Sequence, residues 1–255
     1  MNAHCLTRGV LVYFAAGALA WGQVPPDSAL QMQKQADEFL YLITSSAPGV
    51  GPIIKGKPFC ATAETETARV LEDGNRITRN NVIKLCRDRD GRTRREQTIG
   101  TLGAAVPIVP KTFIFLYDPV QAVSYVLDPH EKVARRFSLP KAPAIHGTIP
   151  GTSAPDVQTE NLGARLIEGL TCAGTRKTTR IPAGALGNAV PIVSVTETWF
   201  SSEIESIVDA QTRDPRFGTV HYHIIQIERR DPSPDLFKPP ADYTVEAETK
   251  LQRPK

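Results

Sequence analysis

Residues 111–137 read KTFIFLYDPVQAVSYVLDPHEKVARRF and hold the clearest structural pattern of the chain. Three segments of alternating side chains, 112–117, 122–127 and 132–137, are separated by Asp118-Pro119 and Asp128-Pro129. Asp-Pro is typical of a turn, because proline fixes φ at about −65°, the value that the second turn position needs. In the first segment aromatic residues alternate with aliphatic ones, which suits a strand covered on both faces. The pattern predicts an antiparallel meander.

The remainder of the chain repeats these short strands and tight turns. Asp73-Gly74 and Asp90-Gly91 are strong hairpin signals, and 21 prolines with 18 glycines favour many turns over long helices. The further predicted strands are 59–70, 76–87, 93–99, 162–170, 172–181, 190–200, 204–212 and 219–228, followed by an extended tail at 231–245. The predicted fold is therefore all-β: one strongly curved antiparallel sheet, an incomplete barrel of about eleven strands.

The N-terminal part of the chain departs from this pattern. Residues 1–22 predict a signal peptide, since Arg8 precedes an apolar run at 10–19 and Ala18-Leu19-Ala20 fits the small-x-small cleavage rule. We therefore expect export to the periplasm or secretion, with an uncleaved membrane anchor as the alternative. Helical spacing of apolar residues at 28–44 predicts one amphipathic helix. Residues 23–255 are expected to form a single domain, with a long Pro- and Gly-rich loop at 138–159.

Four segments carry a resemblance to a known family. They are the tail FKPPADY at 237–243, the aromatic strand and Tyr-Asp-Pro turn at 113–127, the sequence ETWF at 197–200, and a small-residue strand from Leu162-Gly163 to Glu168-Gly169. Together they resemble the LolA-like superfamily, the fold of periplasmic lipoprotein carriers. The chain also resembles secreted bacterial proteins of unknown function. The first resemblance implies a half-barrel with helices lining its hollow face, where the best-known members hold the acyl chains of lipoproteins.

The predicted helix is too small to cover the predicted sheet, because a helix of about seventeen residues spans only about 25 Å. A large apolar face that no helix covers must be occupied by a ligand or by another protein. We therefore expect lipid binding, with a hydrophobic small molecule or an acylated protein as the partner. The predicted ligand-binding residues are Phe113, Phe115, Tyr117, Tyr125 and Trp199. Two alternatives stay open: an envelope interaction module with a permanently filled groove, and a hydrolase that uses a carboxylate such as Glu197.

No motif of a catalytic or cofactor site is present in the sequence. Gly-x-Ser-x-Gly, a phosphate-binding loop and Cys-x-x-Cys are all absent, so neither an enzyme nor a cofactor is predicted. His221 and His223 share one face of a strand, but a metal site needs three or four ligands and no third one has matched spacing. Asp88 and Asp90 indicate a hairpin turn rather than a calcium loop.

Basic side chains are concentrated between residues 76 and 95. One interpretation is a surface that docks to an anionic envelope surface, formed by Arg87, Arg89, Arg92, Arg94 and Arg95. The other is a solvated sheet face or edge whose charge prevents aggregation. A formal net charge of only +3 together with predicted export argues against nucleic acid as a partner.

Three cysteines, Cys60, Cys86 and Cys172, follow the predicted signal peptide. If Leu71 lies opposite Arg76 in the first hairpin, Cys60 lies opposite Arg87, which is one position from Cys86. A β-bulge would shift the register by one residue and align the two cysteines. Both cysteines lie on the polar side of their strands, and an oxidising compartment would let them bond. The sequence therefore predicts a Cys60–Cys86 disulfide with Cys172 reduced, against the alternative of free thiols.

Overall fold

A computed structural model describes residues 53–99, 110–138 and 156–247 of the chain. These residues form twelve strands and one 3-10 helix, Pro234–Phe237. The strands are β1 Phe59–Val70, β2 Arg76–Arg87, β3 Thr93–Ile99, β4 Lys111–Asp118, β5 Val123–Asp128, β6 Val133–Ser138, β7 Asp156–Ile167, β8 Leu170–Ile181, β9 Ile192–Ser201, β10 Ser206–Asp214, β11 Gly218–Glu228 and β12 Thr244–Ala247. Within these ranges no helix has the length and hydropathy of a membrane span. The predicted signal peptide, the predicted helix at 28–44 and positions 139–155 of the predicted loop lie outside the described residues.

All twelve strands belong to one open, curved sheet that does not close on itself. Their order is β12-β6-β5-β4-β3-β2-β1-β11-β10-β9-β8-β7. Two meanders, β1 to β6 and β7 to β11, meet where β1 pairs with β11 at the centre of the sheet. The all-β prediction is confirmed.

The predicted bounds of β1, β2 and β3 agree with the structure, and the other strands shift at one or both ends. Strand β7 begins at Asp156, whereas its first four residues were predicted to belong to the long loop. Nearly all of β7 is exposed at the sheet edge, so it lacks the alternation that marks a half-buried strand. The predicted extended tail also contains a strand that was not predicted. This strand, β12, pairs with β6 in parallel and is the twelfth strand of the sheet.

The Asp-Pro turns of the central meander are held by their aspartates. Asp118 Oδ1 accepts hydrogen bonds of 2.9 Å from the backbone N–H groups of Val120 and Gln121. Asp128 Oδ1 does the same for the N–H groups of His130 and Glu131, at 3.1 and 3.2 Å. A buried carboxylate at the end of a strand thus satisfies the N–H groups of the following turn, which explains why the chain turns at these positions.

The first hairpin has a register that differs by one residue from the predicted one. Val70 lies opposite Arg76, so the loop comprises residues 71–75. Leu71 N–H donates to Asn75 O at 2.8 Å and Gly74 N–H donates to Leu71 O at 2.9 Å. The prediction from sequence places Leu71 in the ladder opposite Arg76 instead. The loop requires glycine at position 74, where φ is +81°.

This register places Cys60 directly opposite Cys86, and no bulge is needed to align them. The two cysteines are disulfide-bonded, with an S–S distance of 2.02 Å and a Cα–Cα distance of 4.1 Å. Cys172 is free and buried, and burial raises the pKa of its thiol.

The register divides the side chains of the central strands between two faces, because directly opposed residues of neighbouring strands point to the same side. One face, here called the Arg95 face, includes Ala61, Leu85, Arg95 and Phe115, which oppose one another across β1 to β4. The other, here called the disulfide face, includes Cys60, Cys86, Arg94 and Leu116.

Two hydrophobic clusters form the buried core. The larger one includes Ala61, Ala63, Ile83, Leu85 and Ile224 of the Arg95 face, and it also takes in Trp199 of β9, which the β9–β10 register assigns to the disulfide face. On the disulfide face, the smaller core consists of Ile114, Leu116, Leu127 and Ala134. The C-terminal tail covers the smaller core: Tyr243 packs against it, and Leu236 O accepts a hydrogen bond from Arg94 Nη1 at 3.5 Å.

Candidate functional site

The five predicted ligand-binding residues lie on two different faces. Phe113, Phe115 and Tyr117 oppose Gln97, Arg95 and Thr93 and therefore belong to the Arg95 face. Tyr125 opposes Leu116 on the disulfide face. Trp199 also belongs to the disulfide face, as the register shows through Asp209, His223 and Glu64. The structure thus brings together three of the five residues, and no single face of the sheet contains all of them.

Trp199 is packed into the protein rather than displayed on a groove. Its side chain is only 9% exposed, and its ring lies over Gly174, where an added Cβ would come within 2.6 Å of Trp199 Cζ3. The guanidinium of Arg165 stacks on the ring at 3.9 Å and forms an ion pair with Asp209 at 3.3 Å. These contacts account for the burial of Trp199 within the molecule. Tyr125, partly buried, packs against the smaller core.

The three aromatic residues of β4 form a partly buried row on the Arg95 face. At one end of the row, Lys111 Nζ lies 5.7 Å from the centre of the Phe113 ring and 2.5 Å from Asp128 Oδ2. Beyond the row, β5 presents Val126 opposite Phe115, and this valine is also partly buried. The apolar surface therefore continues from the buried core in β1 and β2 towards the solvent-accessible side of β4 and β5.

Arg95 stands between this row and the core. It opposes Leu85 on one side and Phe115 on the other, and its side chain is only 7% exposed. Its Nε has no hydrogen-bond partner, and its guanidinium forms no ion pair with the residues that the structure describes. Burial lowers the pKa of Arg95, an effect that Tyr222 opposes. A buried arginine without a counter-ion is costly and calls for a chemical explanation.

Two threonine hydroxyls on the same face are also buried without a partner. Thr93 Oγ1 comes from β3 itself, two residues before Arg95, and Thr65 Oγ1 comes from β1. The fourth such atom among the described residues, His223 Nδ1, belongs to the disulfide face. Three of these four unsatisfied atoms therefore lie on the apolar Arg95 face, where water is least able to satisfy them.

Arg87, on the same face, has a different environment. Its guanidinium donates to the backbone oxygens of Lys57, at 3.0 Å from Nε, and of Ile204. It also stacks on the Phe59 ring at 4.9 Å. Burial lowers the pKa of Arg87 to about 10, and the nearby Glu205 opposes this effect. Arg87 therefore has a structural role, tying the β9–β10 loop to β1 and β2.

The basic cluster is not one docking surface, which corrects that interpretation of the sequence. Arg87 and Arg95 are buried, and the other three arginines have acidic partners. Arg89 pairs with Asp231 at 2.5 Å and Arg94 with Glu96 at 3.2 Å. Arg92 pairs with Asp88, Asp90 and Asp118 at 2.9, 3.2 and 3.3 Å. Arg95 differs from the rest of this cluster through its position opposite Leu85 and Phe115, which depends on the register of β2, β3 and β4. It is not among the predicted ligand-binding residues.

Glu197 is engaged in an ion pair. Its Oε1 accepts a hydrogen bond from Arg176 Nε at 2.9 Å, and Arg176 Nη1 also donates to Glu160 at 2.7 Å. Two carboxylates thus share one arginine. Glu197 is therefore held in an ion-paired group that spans β7, β8 and β9.

The two histidines of β11 each contact their own carboxylate. His221 Nε2 lies 3.0 Å from Asp209 Oδ2, and His223 Nε2 lies 3.4 Å from Glu64 Oε2. The imidazole rings stack with their centres 5.0 Å apart. Throughout the described ranges, no group of three or more His, Cys, Asp or Glu residues could hold a metal ion.

A groove lies at one end of the central strands, away from β4. This end groove, of about 750 Å³, runs between the β1–β2 hairpin and the β10–β11 turn. Its lining includes Val70, Val193, Val195 and Arg213. These residues are partly or largely exposed, with Val70 67% accessible, and none of the predicted ligand-binding residues lies here. The end groove is therefore the alternative candidate for a ligand site, beside the Arg95 face.

No protein-family model matches the chain, and no curated protein matches it. Among solved structures, an uncharacterized conserved protein from Thermus thermophilus aligns over 84% of this chain and 99% of its own, with 10% identity and a TM-score of 0.40. MucB in complex with MucA(peri) aligns over 81% and 60%, with 12% identity and a TM-score of 0.38. A LolA superfamily protein from Nitrosomonas europaea aligns over 78% and 96%, with 10% identity and a TM-score of 0.31. The chain is thus similar to LolA superfamily structures, and at these scores we draw no argument about function from the similarity.

Proposed function

We propose that this is an exported, non-catalytic binding protein that holds a hydrophobic ligand on the Arg95 face. One observation carries the proposal. The partly buried row of Phe113, Phe115 and Tyr117 continues an apolar core whose polar atoms at Arg95 and Thr93 lack partners in the protein. Apolar contact area beside unsatisfied polar groups is typical of a ligand site. The ligand is an acyl chain, a lipid or the acylated end of a protein.

The aromatic row offers enough area to hold an alkyl chain. Burial contributes about 0.8 kcal/mol per methylene group, so about eight methylenes against the row contribute about 6 kcal/mol. Part of this is lost to the ordering of the chain on binding. The remaining gain suits reversible binding of a lipid.

The test uses protein without residues 1–22, stripped of lipid, and the neutral fluorescent probe N-phenyl-1-naphthylamine. We expect saturable binding that Phe115→Ala weakens about tenfold, because it removes apolar contact area. Phe217→Ala is the matched control, since Phe217 is half-exposed in the β10–β11 turn, away from β4. Absence of saturable binding to the stripped protein would refute the proposal and favour the interaction module with a filled groove.

A further inference from the structure

We infer that the ligand carries one negative charge and that Arg95 binds it, which makes the ligand a fatty acid with its carboxylate at Arg95. This inference rests on the proposed function and goes further, because it names the head group and its position. The chain of the ligand extends from Arg95 along Phe115 towards Val126.

Arg95 carries a buried positive charge. Arginine stays protonated in proteins, and a buried charge needs a partner of opposite sign to offset its lost hydration. Leu85 and Phe115 flank the side chain and are apolar, and the neighbouring Tyr222 is a phenol rather than a carboxylate. An amphiphile that brings a carboxylate to this position supplies the missing counter-ion.

The acidic side chains of β3 to β5 and their turns near Arg95 already have basic partners. Asp88 and Asp118 pair with Arg92. Glu96 pairs with Lys84 and Arg94 at 3.4 and 3.2 Å. On the Arg95 face, Asp128 pairs with Lys111. The described part of the chain therefore offers no unpaired carboxylate beside Arg95.

Strand β3 places two hydrogen-bond donors on the Arg95 face. The guanidinium presents parallel N–H donors that suit the two oxygens of a carboxylate. Thr93 lies on the same face two residues away, a spacing of about 6.6 Å along a strand, and its hydroxyl has no partner. Arg95 and Thr93 can therefore both donate to one head group.

The number of unpaired cations limits the charge of the ligand. Three other cations near this site are satisfied: Arg87 donates to backbone oxygens, Lys111 pairs with Asp128, and Arg135, opposite Val126, pairs with Glu246 at 3.6 Å. Only the charge of Arg95 remains to be neutralised. A monoanion matches it, whereas a dianionic phosphate monoester would bring a second, uncompensated charge into an apolar site.

The experiment compares dodecanoate, dodecanol and dodecyl phosphate, each displacing the neutral probe from lipid-stripped protein. Hydrogen bonds to a charged group are worth roughly tenfold to a hundredfold in affinity. We expect dodecanoate to bind at least about tenfold more tightly than dodecanol, and more tightly than dodecyl phosphate. Arg95→Met should abolish the preference for the acid while dodecanol still binds.

Arg94→Met is the control, because Arg94 is the adjacent residue on the opposite face. It should keep the preference for the acid. Equal affinity of the wild type for acid and alcohol, or a preference that survives Arg95→Met, would overturn the inference while leaving the proposed function intact. Tighter binding of the phosphate would overturn the assignment of a carboxylate. If neither the alcohol nor the acid displaces the probe, the proposed function itself fails. Circular dichroism verifies that each variant is folded.

Discussion

The two faces of the sheet differ in how their charged side chains are paired. On the disulfide face, Arg176 is shared by Glu160 and Glu197, and each histidine of β11 contacts its own carboxylate. On the Arg95 face, the buried Nε of Arg95 has no hydrogen-bond partner. The difference shows that these charged side chains of the disulfide face have partners within the protein, whereas the guanidinium of Arg95 has no ion-pair partner among the described residues.

A second contrast lies within the Arg95 face. Arg87 and Arg95 are both 7% exposed, yet two backbone oxygens accept hydrogen bonds from Arg87. The β9–β10 loop supplies one of these oxygens through Ile204. Burial alone therefore does not mark a binding residue: the distinction is whether the protein satisfies the buried donor.

The largest expected effect concerns the stability of the disulfide face. Replacing both Cys60→Ser and Cys86→Ser should lower the free energy of unfolding by about 3 kcal/mol, because the unfolded chain gains entropy. Urea unfolding measures it, with reduced wild-type protein as the control. The preference for dodecanoate should persist in the variant, because the cysteines point away from Arg95. Loss of that preference would show that the two faces are not independent.

Arg87→Met should destabilise the ligand-free protein by about 2 kcal/mol, because two backbone oxygens lose their buried donor. Urea unfolding at neutral pH measures the change. Phe59 remains packed in the core, so the effect reports the lost hydrogen bonds. An unchanged unfolding free energy would show that water replaces the guanidinium and that the assigned structural role is wrong.

Arg95→Met should act in the opposite direction and stabilise the lipid-stripped protein by about 1 kcal/mol, because it removes a buried charge without a partner. The same urea titration measures it, alongside Arg87→Met. Excess dodecanoate should stabilise the wild type more than the variant. Destabilisation of stripped protein by Arg95→Met would show that the protein itself supplies a partner for Arg95.

The smallest effect concerns Asp128, at the rim of the Arg95 face. Its hydrogen bond with Lys111 holds the pKa of Asp128 below its usual range, aided by the N–H groups of Glu131 and His130. A carboxyl whose pKa is lower in the folded state contributes stability above its unfolded pKa of about 3.9, and this is lost as pH falls through the folded pKa. Asp128→Asn should therefore lower Tm at pH 7, with the difference from wild type vanishing at acidic pH. A difference that does not depend on pH would exclude the charge of Asp128 as its source.

Local patterns predicted most of the fold and only part of the site. Asp-Gly and Asp-Pro turns fix hairpins through neighbouring residues, so the first three strands agree with their predicted bounds. Strand β12 pairs with a strand more than a hundred residues away in the sequence, and no local signal predicts such a parallel pairing. Alternation showed which residues share a face within a strand, but the face shared between strands depends on register. Alternation alone therefore groups Tyr125 and Trp199 with the aromatic residues of β4, and it groups Arg95 with an exposed basic cluster.

The most direct test of the central claim is photo-crosslinking with a fatty acid that carries a diazirine on its alkyl chain, followed by peptide mapping. The account predicts labelling in β4 and β5, around Phe115 and Val126, and loss of this labelling when unlabelled dodecanoate competes. Labelling confined to Val70 and Val193 in the end groove would contradict the account, because it would place the ligand on the other face of the sheet.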